Sequence, residues 1–125
     1  MVSAISLKRI GARFYQTAAG NQPVRDWLLA LSGPDRKIVG GDIATVEFGW
    51  PIGMPVCRSV KGSVLREVRS TIKNGRVEAR VLFVIDGSDM VLLHGFEKKP
   101  SQQGVEIALG EARWKDMKRR MGRPE

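Results

Sequence analysis

With 125 residues, the chain has the length of one domain, and 42% hydrophobic content supplies one ordinary core. Twenty-one Lys and Arg against 13 Asp and Glu leave a formal charge of +8, which points to a polyanionic partner. One Cys and one His exclude an internal disulfide and a Cys/His zinc cluster, and 6% aromatic residues supply few rings for a base-stacking platform. No stretch approaches the roughly 18 apolar residues of a membrane span. Lys8, Arg9 and Arg13 stand where a signal peptide would carry its apolar run, so the sequence reads as soluble and cytoplasmic.

From the N-terminus, Leu7 to Gln16 places Ile10, Ala12 and Phe14 at alternate positions and predicts a half-buried strand. Ala19-Gly20-Asn21 is a turn. Pro23 suits a first helical position, and Val24, Trp27, Leu28 and Leu31 follow at the spacing of an amphipathic helix. Ser32 is the expected N-cap of a second helix, with Asp35 at its positive end and Val39, Ile43, Val46 and Trp50 as its buried stripe. Gly40-Gly41 weakens that helix unless a backbone packs closely against it. Pro51 to Gly62, with four Pro or Gly breakers, reads as an irregular crossing loop.

The period then changes to that of a sheet. Val64 to Ser70 is one strand, Asn74-Gly75 a hairpin signal, and Val77 to Asp86 its partner. In that partner Val77, Ala79, Val81, Phe83 and Ile85 share one face, leaving Arg80 on the other among Glu78, Leu82, Val84 and Asp86. Met90 to Phe96 returns as a third strand after the Asp86 to Asp89 turn. A last helix is predicted with Val105, Ala108, Leu109 and Ala112 as its core stripe, running into a basic tail from about residue 113.

The succession GWPIGMPVCRSV, VLREVRS, GRVEARVLFVI, MVLLHGFEKK and EIALGEARWKDMKRR, over about Phe14 to Arg120, resembles the toxins of the RelE/ParE superfamily, in particular their HigB-like, phage-related branch. The resemblance implies a single α+β domain with two N-terminal helices packed on a twisted antiparallel sheet and a C-terminal helix. It also implies a toxin role, and a cognate antitoxin that usually carries a helix-turn-helix domain. Many such toxins cut messenger RNA on the ribosome, without a cofactor or metal. Relatives that block DNA gyrase supply an alternative, and a basic phage accessory protein without catalysis is a third.

RNA carries its own nucleophile, the 2′-hydroxyl, so a protein need only align it with the phosphorus, move protons and stabilise oxyanion charge. Arg80 matches the sheet arginine that the family places at the scissile phosphate. Arg69, on the neighbouring strand, is either a second phosphate ligand or an ion-pair partner of Glu67 or Glu78. Lys98 and Lys99 stand where the family places a further basic catalytic residue. His94 is either a general acid or base or a hydrogen-bonded, mostly buried ring on the face of Leu92 and Phe96. Glu67 is either a proton acceptor or a structural partner of the arginines. Arg58, Lys61, Arg66, Lys73 and Arg76 are expected contacts to RNA backbone. Trp27, Trp50 and Trp114 sit at helical positions and read as packing anchors.

Overall fold

The computed structural model describes residues 7–123. The elements run β1 (Gly11–Phe14), α1 (Pro23–Ala30), α2 (Gly33–Gly49), β2 (Cys57–Ser59), β3 (Arg66–Ile72), β4 (Val77–Asp86), β5 (Asp89–Glu97) and α3 (Gln103–Arg120). The strands form one sheet in the order β1-β5-β4-β3-β2.

Three expectations about this sheet are corrected. The sheet is mixed rather than antiparallel, because β1 pairs parallel with β5, Ala12 opposite Met90 and Phe14 opposite Leu92. Alternation alone cannot tell which way a neighbour runs. The expected strand over Leu7 to Gln16 also shortens to four residues. In addition, the expected crossing loop contains β2, three residues pairing with Arg66 to Val68. A strand that short, among prolines and glycines, leaves no periodicity to detect.

Both faces of the sheet are covered. On one, the expected β4 residues Val77, Ala79, Val81, Phe83 and Ile85 meet Val24 of α1 and Val39, Ile43 and Val46 of α2. On the other, Leu82, Val84, Val91 and Leu93 pack with Leu65, Ile107, Trp114 and Met117 beneath α3. The face of Arg80 is therefore an interior face rather than a solvent face.

The stripe by which α3 docks also differs from expectation. Ile107, Gly110, Trp114 and Met117 face the sheet, whereas Val105, Ala108, Leu109 and Ala112 are exposed. Gly110 decides the seating. A Cβ there would lie 3.0 Å from side-chain carbons of both Leu65 and Leu82, so its absence lets the helix axis come close to β4.

Local chemistry agrees with the helix boundaries. The Ser32 hydroxyl accepts from the Asp35 N–H and caps α2, while Arg36 donates to the carbonyls of Leu28, Leu29 and Leu31, closing the C-terminal end of α1. Asp35 also accepts from the Lys73 N–H, tying the hairpin turn to α2. That turn spans Lys73 to Arg76, with Lys73, Asn74 and Gly75 all at positive φ, so it is longer than the two-residue turn that Asn74-Gly75 suggests. Glu47 accepts from the Ala12 N–H and from Lys8, covering β1 where a sixth strand would otherwise add.

The glycines of α2 and β5 behave oppositely. No atom lies within 4 Å of a Cβ built at Gly40 or Gly41, whereas one at Gly95 would intrude on the ring of Trp27. Gly40→Ala and Gly41→Ala should therefore each raise unfolding free energy by about 1 kcal/mol through helix propensity. Gly95→Ala should lower it by about 1–3 kcal/mol through overpacking. Urea unfolding midpoints at constant slope check both signs.

Candidate nucleic-acid interface

Adjacent strands place the charged residues of the α3-side face in rows. Arg58 lies opposite Glu67, Arg69 opposite Arg80, and Thr71 opposite Glu78. Period-two alternation puts all six on one face, and antiparallel register brings them together.

Glu67 is the hub. Its Oε2 lies 3.3 Å from Nε of Arg80, 3.5 Å from a terminal nitrogen of Arg58 and 3.7 Å from one of Arg69. These contacts are ionic, since neither Glu67 Oε2 nor Arg80 Nε makes a hydrogen bond to a described residue. Arg80 instead donates to the Ala79 carbonyl at 2.9 Å and lies 3.6 Å from Glu78, whose other oxygen accepts from the Thr71 hydroxyl. Burial falls off outward from the hub: side-chain exposure is 2% for Glu67 and 1% for Arg80, but 20% for Arg69 and 48% for Arg58. Three guanidinium groups against two carboxylates leave one positive charge in excess, and the open side of the cluster carries it.

Burial lowers the pKa of the Arg80 guanidinium, and the Arg69 charge lowers it further, with Glu67 and Glu78 opposing. Arg80 is thus a buried cation that depends on Glu67. The solvent meets the cluster through Arg58 and through a cleft of about 270 Å³ lined by Asp42, Pro55, Val56, Arg69, Thr71 and Glu78.

The remaining candidates lie elsewhere. Arg66 is on the opposite face of the sheet, its guanidinium 5.0 Å from the Trp50 ring centroid and bonded to Ser59. Lys61 is exposed in the loop after β2. Lys73 and Arg76 sit at the hairpin tip, Lys73 paired with Glu97 at 3.1 Å. Lys98 and Lys99 are exposed after β5, and the Lys98 N–H donates to the Glu78 carbonyl, which brings that turn to the row of Thr71 and Glu78.

His94 lies under α3. A bulge in the β4–β5 ladder turns both Leu93 and His94 toward that helix, so His94 shares its face with Phe96 but not with Leu92. Its Nδ1 lies 3.2 Å from Arg113 and its Nε2 3.0 Å from Glu106. Because Arg113 has only hydrogens to give, Nδ1 accepts and the ring proton sits on Nε2, donated to Glu106. Both nitrogens are engaged, which favours the hydrogen-bonded ring over the general acid or base.

Of the two readings the sequence left open for Glu67, proton acceptor or structural partner of the arginines, the geometry favours the second, a counter-ion shared by Arg58, Arg69 and Arg80. Tyr15, far from the C-terminal helix in sequence, meets it in space. In the fold the Tyr15 hydroxyl donates to Asp116 at 2.6 Å, and burial followed by Asp116 raises its pKa.

A family model described as phage derived protein Gp49-like (DUF891) matches residues 26–115, a span that runs from α1 into α3 and contains every residue of the arginine cluster. Among curated proteins, none matches the chain.

Burial lowers the His94 pKa below 6.5, and Arg113 adds to this while Glu106 opposes it. The fold therefore prefers neutral His94. The resulting stability is complete above 6.5 and is lost as pH falls from there through the depressed folded value. His94→Gln should remove that dependence: thermal midpoints measured at about pH 7.5 and about pH 5.5 should differ more in the wild type than in the variant.

Proposed function

The chain belongs to the phage-derived Gp49-like family, which lies within the RelE/ParE-like toxin superfamily, and from this we propose that it is a RelE-type toxin of the HigB-like branch that binds and cuts RNA. The observation that carries the RNA-directed reading is the set of three arginines on one carboxylate, with Arg58 and Arg69 at the open side and one positive charge in excess.

Two guanidinium groups at the open side of the cluster suit a phosphate, because each presents a planar fork to oxyanion oxygens. As the 2′-hydroxyl attacks, negative charge on the phosphate oxygens increases, and cations fixed beforehand stabilise that increase without reorganising. Glu78 is the solvent-side carboxylate of the cluster and the one placed to accept the hydroxyl proton. Lys98 and Lys99, beside that row, supply positive charge and a proton for the leaving oxygen. Lys61, Lys73 and Arg76 extend the positive surface along which an RNA backbone runs, in keeping with action on messenger RNA at the ribosome. The partner implied by the toxin reading is an antitoxin, and the excess positive charge calls for an acidic segment in it. Among the described residues, no helix is long and apolar enough to cross a membrane.

Arg69, rather than Arg80, is the informative position. Arg80→Ala removes the nearest cation from a buried carboxylate and should cost stability of about 3–5 kcal/mol, confounding any loss of activity. Arg69→Ala leaves Glu67 with Arg58 and Arg80 and should fold. Its rate of message cleavage should fall on the order of 10²-fold, the usual effect of losing one transition-state charge contact. Primer extension on translating messages reads this out. A folded Arg69→Ala that cuts at the normal rate removes the cluster from the reaction, while intact message with gyrase-dependent DNA damage replaces the reading with the gyrase one.

A further inference from the structure

We infer that Glu67 is a positioning residue, a buried anion that holds Arg58 and Arg69 in fixed directions for an oxyanion. The kinetic part of this inference rests on the RNA-cleaving reading; the structural part does not.

Long arginine side chains at a sheet surface ordinarily sample many rotamers, and ordering them costs entropy. Here one oxygen atom draws three of them inward from three adjacent strands, at 3.3, 3.5 and 3.7 Å. The carboxylate itself is pinned. Glu67 lies in the middle of the sheet with β2 on one side and β4 on the other, and its side chain is 2% exposed. Arg80 alone balances its charge. If neutralising Arg80 were its whole task, the two further arginines would be superfluous, and each lies slightly farther away than Arg80. Their contacts stop short of hydrogen bonds, because Glu67 Oε2 makes none. Attraction without a hydrogen bond keeps both side chains close to Glu67 while leaving the N–H groups of Arg58 and Arg69 to donate to an incoming phosphate.

The charge has a second effect, opposite in sign. A carboxylate beside the site weakens attraction for any anion, ground state and transition state alike. Glu67→Gln therefore loosens the arginines and also strengthens uniform attraction for phosphate. Loss of positioning lowers kcat, and stronger uniform binding lowers KM or leaves it unchanged. A purely structural role predicts something else: fewer folded molecules, with kcat per folded molecule and KM both unaltered.

Two measurements on the full chain test this. The Nε–Hε resonances of Arg58 and Arg69 in 15N-labelled protein, followed while inorganic phosphate is added, report the order of the guanidinium groups without reference to catalysis. Steady-state cleavage of an RNA substrate, normalised to folded protein, reports kcat and KM. The expected result is that the two resonances are dispersed in the wild type and move with phosphate, and that in Glu67→Gln they collapse toward the position of free arginine. The kcat should fall about 10-fold to 10²-fold, the scale of a misplacement of about 1 Å, with KM not raised. Resonances unchanged in the variant overturn the inference whatever the kinetics do, and so does an unchanged kcat in a variant whose wild type cleaves. If the wild type shows the Glu67-dependent order but cuts no RNA, positioning stands and the nuclease reading fails. Should Glu67→Gln not fold, Glu67→Asp keeps a negative charge in the interior while withdrawing it by one methylene from all three arginines, and the same two readouts apply to it.

Discussion

The pairing of Glu67 with Arg80 inside a sheet covered on both faces is the constraint from which the rest of the functional surface follows. A carboxylate and a guanidinium taken out of water lose hydration worth several kcal/mol each, and their mutual attraction offsets this only when geometry and further partners are favourable. Here the further partners are Arg58 and Arg69 for Glu67, and the Ala79 carbonyl and Glu78 for Arg80. Such a pair adds little net stability compared with two apolar residues of the same volume. Its presence in the interior face of β3 and β4 is better understood through what it organises, two half-open cations at the margin of the region that α3 covers.

How α3 sits determines where that margin falls. Gly110 lets the helix approach Leu65 and Leu82, and the helix then continues toward β1 rather than across the arginine rows. Part of its positive charge holds it there. Arg113 donates to the Leu93 carbonyl, Arg120 to Asp116 and to the Gln16 carbonyl, and Arg123 to Asp86. Lys118 lies 5.4 Å from the Trp114 ring centroid and Arg119 3.7 Å from Asp116. Of the C-terminal cluster of positive charge, so prominent in the sequence, Arg113, Arg120 and Arg123 thus dock the helix, while Lys118 and Arg119 make contacts within it. The smaller cluster between Arg58 and Arg80 is the one gathered on a single buried carboxylate.

Much of the fold was legible because local patterns carry it. The stripes of α1 and α2, the Ser32 cap and the alternation of β4 all depend on neighbours within one element, and each is present as read. What was not legible depends on elements distant in sequence. The parallel partner of β1 is some 75 residues away, Tyr15 meets Asp116 across 101 positions, and β2 is a strand only because Arg66 to Val68 lie beside it. The α3 stripe was misread because Val105 and Leu109 outweigh Gly110 in hydrophobicity, whereas close approach to Leu65 and Leu82 decided the seating. Arg80 shows the same limit in the site. Its alternation with apolar neighbours gave the correct face, but only α3 and the neighbouring strands make that face an interior one.

A cluster built this way differs from the usual surface patch that binds nucleic acid. Lysines on a loop attract a backbone and let it slide, since their charges move with it. Arginines rooted in three hydrogen-bonded strands, and drawn to one buried oxygen, are held in relation to one another before any RNA arrives. Holding them costs the protein some stability through the desolvation of Glu67 and Arg80, and the covered sheet, with apolar layers on both faces, is what tolerates that cost. Preorganised charge is of use chiefly when charge develops during a reaction, because a ground-state phosphate binds nearly as well to mobile cations. The burial of Glu67 therefore favours a site that stabilises a changing oxyanion over one that merely retains a nucleic acid.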